Sequence, residues 1–152
     1  MSIYLSKYKI INKHKFFIMA METLIVDDDL VFILIHKNLL KLCEVGSQFT
    51  NCLDGQEALK YLDKEKDESK HYLILLDIKM PIMNGWKFLD AIQDRPYQHN
   101  LSVVILTSST NIEDRQKAVT YSQVIHYIEK PLTVEGCQQI KSLENVKKYL
   151  KN

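Results

Sequence analysis

No apolar stretch in these 152 residues is long enough to cross a bilayer. A helical membrane protein is therefore not expected. The chain also lacks a strong charge of either sign, with 20 Lys and Arg against 19 Asp and Glu. The balance is uneven, however. Residues 1–20 carry Lys7, Lys9, Lys13 and Lys15 and no acid, and taking these four from the total of +1 leaves −3 for the rest. A mildly acidic body argues against nucleic-acid binding as the main task. Cysteine is sparse and shows no zinc-ligand spacing. Cys43, Cys52 and Cys137 are odd in number, far apart and set in apolar or helical surroundings. They read as reduced core thiols, which suits a cytoplasmic protein. No internal repeat and no second domain is visible.

Hydrophobic residues at 46% and charged residues at 26% are ordinary for a globular domain, and the length supports one core. Residues 1–20 stand apart. They are basic and end in Phe16-Phe17-Ile18-Met19, an apolar run too short for a signal-peptide core. A disordered extension is expected there, or one translated upstream of a working start at Met19 or Met21; a weak membrane-surface helix is the alternative. Residues 21–152 then form the domain.

From Glu22 onward, strand and helix patterns alternate. Strands are expected at about 22–27, 46–52, 72–77, 102–107 and 124–128. Helices are expected at about 29–43, 55–66, 85–94, 111–120 and 133–150. Asp29 suits the first helix as an N-cap. Ala58, Leu59 and Leu62 mark the buried face of the second. Pro96 stops the third. Five strand–helix units imply α/β architecture: a doubly wound, five-stranded parallel sheet with helices on both faces. In the flavodoxin-like order 2-1-3-4-5, the ligand crevice opens beyond strands 1 and 3.

The strand exits carry the chemistry. Tyr72-Leu73-Ile74-Leu75-Leu76 ends in Asp77. Leu24-Ile25-Val26 ends in Asp27-Asp28-Asp29. Val103-Val104-Ile105-Leu106 ends in Thr107, and the run through Ile128 ends in Glu129-Lys130-Pro131. Three carboxylates crowded at one rim raise one another's pKa unless a cation intervenes. A hard divalent ion with oxygen ligands fits them, and Mg²⁺ is the cytosolic choice. A carboxylate beside such an ion can attack an electrophilic phosphorus. Lys130 offers a point charge to the new phosphoryl oxygens, and Thr107 offers a hydroxyl.

Four motifs, in order, resemble those of receiver domains in the two-component response-regulator family, over about residues 22–150. They are Leu24-Ile25-Val26-Asp27-Asp28-Asp29, Leu75 through Gly85 with its Met80-Pro81 and Asn84-Gly85, Ile105-Leu106-Thr107-Ser108, and Tyr127-Ile128-Glu129-Lys130-Pro131. The resemblance implies a chemotaxis-regulator-like receiver fold. It implies that Asp77 is the phosphoacceptor and Asp28 a direct Mg²⁺ ligand. Asp27 would support the metal, partly through water, and the Lys79 backbone carbonyl would be a further ligand. Thr107 and Lys130 would hold the phosphoryl group, and the Tyr127 rotamer would report it. The expected function is that of a single-domain response regulator, phosphorylated by a histidine kinase or histidine phosphotransfer protein, that switches contacts with a downstream protein. Such a protein catalyses only its own phosphorylation and dephosphorylation. A phosphorelay shuttle is the alternative, and a phosphorylation-independent interaction module a more distant one.

Other classes fit less well. A flavin-binding relative wants a Ser/Thr/Gly-rich loop after strand 1, where this chain is acidic. A haloacid-dehalogenase-type phosphatase wants a second Asp at position 79, where Lys79 stands. His36, His71, His99 and His126 lack ligand spacing and read as structural or surface residues. Trp86 reads as packing. On the first helix, an apolar stripe of Phe32, Ile35, Leu39 and Cys43 suffices to cover a sheet, which leaves Leu30, Ile33 and Leu34 without a core to enter. They are either a wider buried face or a docking patch for the phosphodonor.

Overall fold

The computed structural model describes residues 20–65 and 67–150. The extension expected at 1–20 lies outside the described residues up to Met19, and Ala20 opens the first strand. Alternation of strand and helix is the dominant pattern. The elements are β1 (Ala20–Val26), α1 (Leu30–Leu42), β2 (Phe49–Cys52), α2 (Gly55–Glu65), β3 (Lys70–Leu76), α3 (Gly85–Ile92), β4 (Leu101–Thr107), α4 (Ile112–Ala118), β5 (Val124–Glu129), α5 (Val134–Ser142) and α6 (Glu144–Lys147). A short 3₁₀ turn, Gln98–Asn100, leads into β4.

All strand pairs are parallel, in the order β2-β1-β3-β4-β5. This is the order expected from the sequence. Helices cover both faces, so the central strands are buried on both sides and read as unbroken apolar runs. Successive side chains still alternate between two cores. Leu24, Val26, Ile74, Leu76, Val103 and Ile105 face α2 and α3, meeting Ala58, Leu62, Phe88 and Ile92. Ile25, Leu73, Leu75, Val104 and Leu106 face α1 and α5, meeting Ile33, Leu40, Cys137 and Ile140. The three cysteines are free and buried. Among the described residues, no helix is long and apolar enough to cross a membrane.

Two expectations change. The last helix breaks at Leu143, whose extended backbone (φ −64°, ψ 131°) ends α5 and starts α6 while its side chain packs on the core. The phase of α1 is also one residue off. Its buried face is Ile33, His36, Leu40 and Cys43, not the stripe through Phe32 and Ile35. The Phe32 ring lies 4.5 Å from Lys130 Nζ at the rim of the sheet, a tertiary contact that goes with the turn of the stripe by one residue. Asp29 accepts from the Val31 and Phe32 N–H groups and so fixes where the helix begins. Phe32 is turned toward the rim of the sheet, and His36 is carried beneath it into the core, the two rings stacking at 5.4 Å.

His36 is fully buried, and neither ring nitrogen has a hydrogen-bond partner among the described residues. Burial, helped by the nearby Lys130, pushes its pKa down to about 4. Burial does the same to His71, which meets Ser102 Oγ at 2.8 Å. The unfolded chain protonates these rings near pH ~6.5. Below that pH the unfolded state binds more protons, so stability is full above it and falls as pH drops toward 4. The loss is of the order of 3 kcal/mol per histidine. His36→Leu is expected to remove one share of this loss. Urea midpoints at pH 8 and pH 5 should differ less for the variant than for the wild type.

A second expectation concerns Gly85, the first residue of α3. A Cβ built there would stand 2.6 Å from the Asp77 carbonyl oxygen and 2.8 Å from Ile78 Cα. Both neighbours are backbone and cannot step aside. Gly85→Ala should therefore destabilise the fold by roughly 2 kcal/mol, the usual scale of overpacking, read as a lower denaturation midpoint.

Candidate functional site

Three site residues stand just past the ends of their strands, and each stays tied to the neighbouring strand. The Asp27 N–H donates to the Cys52 carbonyl at 3.0 Å, the Asp77 N–H to Val26 at 2.9 Å, and the Lys130 N–H to Thr107 at 2.8 Å. The side chains therefore leave an ordered backbone rather than a loose loop. Because the strands are parallel, all of them leave at the same rim.

There the Lys130 ammonium donates to Asp27 Oδ2 at 2.5 Å and to Asp77 Oδ2 at 2.9 Å. All three side chains are almost wholly buried. Asp27 Oδ1 also accepts from the Asp29 N–H at 2.9 Å, and Asp77 Oδ1 from the Lys79 N–H at 3.2 Å. Asp28 is exposed beside them. Carboxylate oxygens of Asp27, Asp28 and Asp77 lie within 4.8 Å of one another.

The electrostatics are unbalanced. Burial alone would lower the pKa of Lys130, but its bonds to Asp27 and Asp77 win and raise it. It is a firmly held cation. Burial raises Asp27, and this outweighs the lowering by Lys130 and the Asp29 N–H. One ammonium thus pairs with two of the rim's three carboxylates and leaves the rim with excess negative charge. The donor set is all oxygen and opens onto a cleft of about 590 Å³ lined by Asp28, Lys79, Met80, Trp86 and Asp114. A hard divalent cation that keeps several waters fits such a place.

Thr107 ends β4 at the same rim and is fully buried. Its Oγ1 accepts from the Ser109 N–H at 3.3 Å. Tyr127 is half-buried on β5, and its hydroxyl donates to the Ser109 carbonyl at 3.3 Å. The Arg115 guanidinium sits 4.5 Å from the Tyr127 ring centre and pairs with Glu129 at 2.7 Å.

The residues singled out from sequence do not all meet. Asp27, Asp28, Asp77 and Lys130 come together, and Lys79 and Thr107 border them. The three apolar residues of α1 divide. Leu30 and Leu34 are 67% and 59% exposed, whereas Ile33 is 3% exposed and belongs to the core. The exposed patch instead comprises Leu30, Val31, Leu34 and Ile35. Three further residues had gone unnoticed as parts of the site. Phe32 places its ring 4.5 Å from Lys130 Nζ, Asp114 holds the Ser109 hydroxyl, and Trp86 lines the cleft beneath Lys117. Phe32 lies in a run of six apolar residues, and no sequence signal sets it apart. No sequence signal marks Asp114.

Comparisons with known proteins point the same way. The family model described as the response regulator receiver domain matches residues 23–141. The two-component response regulator ARR12 of Arabidopsis thaliana is 31% identical over 124 residues. That alignment takes in 82% of this chain but 20% of the plant protein, so the chain spans about a fifth of that relative's length. A protein of Rhizobium etli described as "Probable chemotaxis protein CheY" is 30% identical over 75% of this chain and 84% of its own length. A two-component response regulator from Cytophaga hutchinsonii superposes with a TM-score of 0.72 at 24% identity, over 79% of this chain and 92% of that one, a likeness of fold. The rim built on Asp27, Asp77 and Lys130 is thus found on a chain that belongs to the response regulator receiver domain family.

Proposed function

We propose that the domain is a phosphorylation-controlled switch, in which Asp77 accepts a phosphoryl group from a histidine kinase or a histidine phosphotransfer protein. The observation that carries this reading is the Asp77 carboxylate, held from two sides by Lys130 and the Lys79 N–H and within 4.8 Å of the carboxylate oxygens of Asp27 and Asp28. A carboxylate oxygen forms the new O–P bond as the P–N bond of the phosphohistidine breaks, and the imidazole leaves with a proton from solvent. Two protein donors on Asp77 orient it for in-line attack. Mg²⁺, held by Asp27, Asp28, Asp77 and the Lys79 carbonyl, would neutralise charge on the phosphoryl oxygens.

Lys130 has a role before and after transfer. At rest it compensates Asp27 and Asp77. Once Asp77 is esterified, the ammonium is free to follow the negative charge onto the phosphoryl group. Thr107 donates its hydroxyl to the same group, since its oxygen already accepts from Ser109. The loop carrying Ser109 is bonded to Tyr127, so a shift of Thr107 is transmitted to the surface of β5. The exposed apolar patch of α1 lies at the same end of the sheet and suits a helical phosphodonor that must bring its histidine to Asp77.

Acetyl phosphate with Mg²⁺ is expected to give a phosphoryl adduct on the wild type, seen by intact-mass spectrometry, and none on Asp77→Asn. An adduct of equal yield in EDTA would contradict the metal assignment. Leu34→Ser should slow transfer from the cognate kinase by about tenfold, the effect of losing part of one buried apolar contact, while phosphorylation by acetyl phosphate is unchanged. Ile33→Ser should instead lower stability, because its side chain is core.

A further inference from the structure

Ser109 is the crossing point of the rim's hydrogen bonds. Its N–H donates to Thr107 Oγ1, its carbonyl accepts from the Tyr127 hydroxyl, and its Oγ accepts from the Asn111 N–H at 3.3 Å. These three contacts are all long. The fourth differs in kind: the Ser109 hydroxyl donates to a carboxylate, Asp114 Oδ2, in a charge-assisted bond. Asp114 stands in the first turn of α4, whose N-cap residue Asn111 makes no side-chain cap bond. The Ser109–Asp114 bond is therefore the side-chain bond that ties the β4–α4 loop to its helix. The next residue, Arg115, covers Tyr127 and pairs with Glu129. One helical turn thus grips both groups that the proposed switch must move.

Asp114 also lines the cleft that Asp28 and Lys79 line. A phosphoryl group on Asp77, whose carboxylate lies within 4.8 Å of that of Asp28, would add negative charge beside Asp28 and Asp114. We propose that Asp114 is a positioning residue that holds the resting loop through Ser109, and that the charge of the phosphoryl group weakens this hold. The proposal rests on Asp77 as the acceptor. It assigns to a residue outside the phosphoryl site the task of sensing when that site is filled. The chemistry is like-charge repulsion. Two anions at one open cleft still repel each other at close range, and the side chain free to turn away yields. When Asp114 yields, Ser109 is released. Thr107 and Tyr127 are bonded to Ser109 and move with it.

The test uses beryllium fluoride, a phosphoryl mimic, with Mg²⁺ on the full chain. The readouts are Trp86 fluorescence for binding, since Trp86 is the chain's single tryptophan and lines the cleft, and NMR signals of the Ser109 amide and Tyr127 ring for loop state. In the wild type, the mimic should shift both NMR signals. In Asp114→Ala without the mimic, both should already lie partway along the same shift. Asp114→Asn keeps an acceptor for Ser109 but loses the charge. Its resting signals should stay nearer the wild type, and its affinity for the mimic should rise about fivefold. Asp114→Ala signals that coincide with resting wild type would overturn the hold on Ser109. Asp114→Asn affinity equal to wild type would overturn the charge sensing. A wild type that binds no mimic and gains no phosphoryl adduct would instead overturn the reading of Asp77.

Discussion

A single ammonium joins the ends of three strands. Lys130 reaches from beyond β5 to Asp77 beyond β3 and Asp27 beyond β1. A buried cation needs partners, and a buried carboxylate needs them as much. Each constrains the others. The strands must be parallel to deliver all three groups to one rim, and they must be in register to bring them within hydrogen-bond reach. The approach of α3 to the Asp77 backbone then requires Gly85, where any side chain would strike the Asp77 carbonyl. The turn that leads there is sharp enough to hold Ile82 at φ 65°, a left-handed conformation unusual for a β-branched residue.

The same strand carries a useful contrast. Glu22, at the opposite end of β1 from the rim, is as buried as Asp27. Burial raises its pKa too, but bonds from Thr50 at 2.6 Å, Tyr61 at 2.5 Å and Lys70 at 3.2 Å reverse the shift, and it ends below its usual value. Asp27 ends above its own. Glu22 is a buried acid that the fold satisfies completely, stapling β1 to β2, α2 and β3. Asp27 is one that the fold leaves under-compensated. An acid held short of full compensation beside an open cleft is a candidate for a ligand site. Burial alone does not separate the two; the partner count does.

Much of this was legible in the sequence because strand exits are local features. An apolar run that stops at a carboxylate or a Lys-Pro pair names its own rim residue, so Asp27, Asp77, Thr107 and Lys130 could be found without knowing the sheet. The alternation of elements implied a doubly wound parallel sheet, and the order 2-1-3-4-5 came from the flavodoxin-like reading that the family resemblance supported. The phase of α1 was harder. Leu30 through Ile35 are six apolar residues in succession, and hydrophobicity cannot say which side is in. The facing side is set by tertiary contacts, the Phe32 ring on Lys130 and the burial of Ile33 and His36. Placing a histidine in the core ran against composition rules, since its ring nitrogens go without partners there. Asp114 was invisible for a different reason. Its partner Ser109 sits on a loop with no periodicity, and a Ser–Asp pair five residues apart has no pattern of its own.

The distribution of strong and weak contacts explains how a sheet this well packed can still switch. Both cores are filled by residues that are fully or almost fully buried, and moving any of them would cost several kcal/mol. The groups that would move lie above that layer. Thr107, Ser109 and Tyr127 are joined by bonds of 3.3 Å, near the outer limit for a hydrogen bond. Such contacts contribute little each, so the loop is separated from an alternative arrangement by a small free-energy gap. Under the proposed phosphorylation, an added charge of about −1.5 to −2 would supply only a few kcal/mol, too little to rearrange the cores but enough to redistribute a loop held mainly by the Ser109–Asp114 bond and these weak contacts. On the proposed function, the rigid sheet is what would make the weak loop informative: with the rim anchored by backbone bonds to its neighbours, charge placed on Asp77 would be relieved chiefly in the β4–α4 loop and the residues bonded to it.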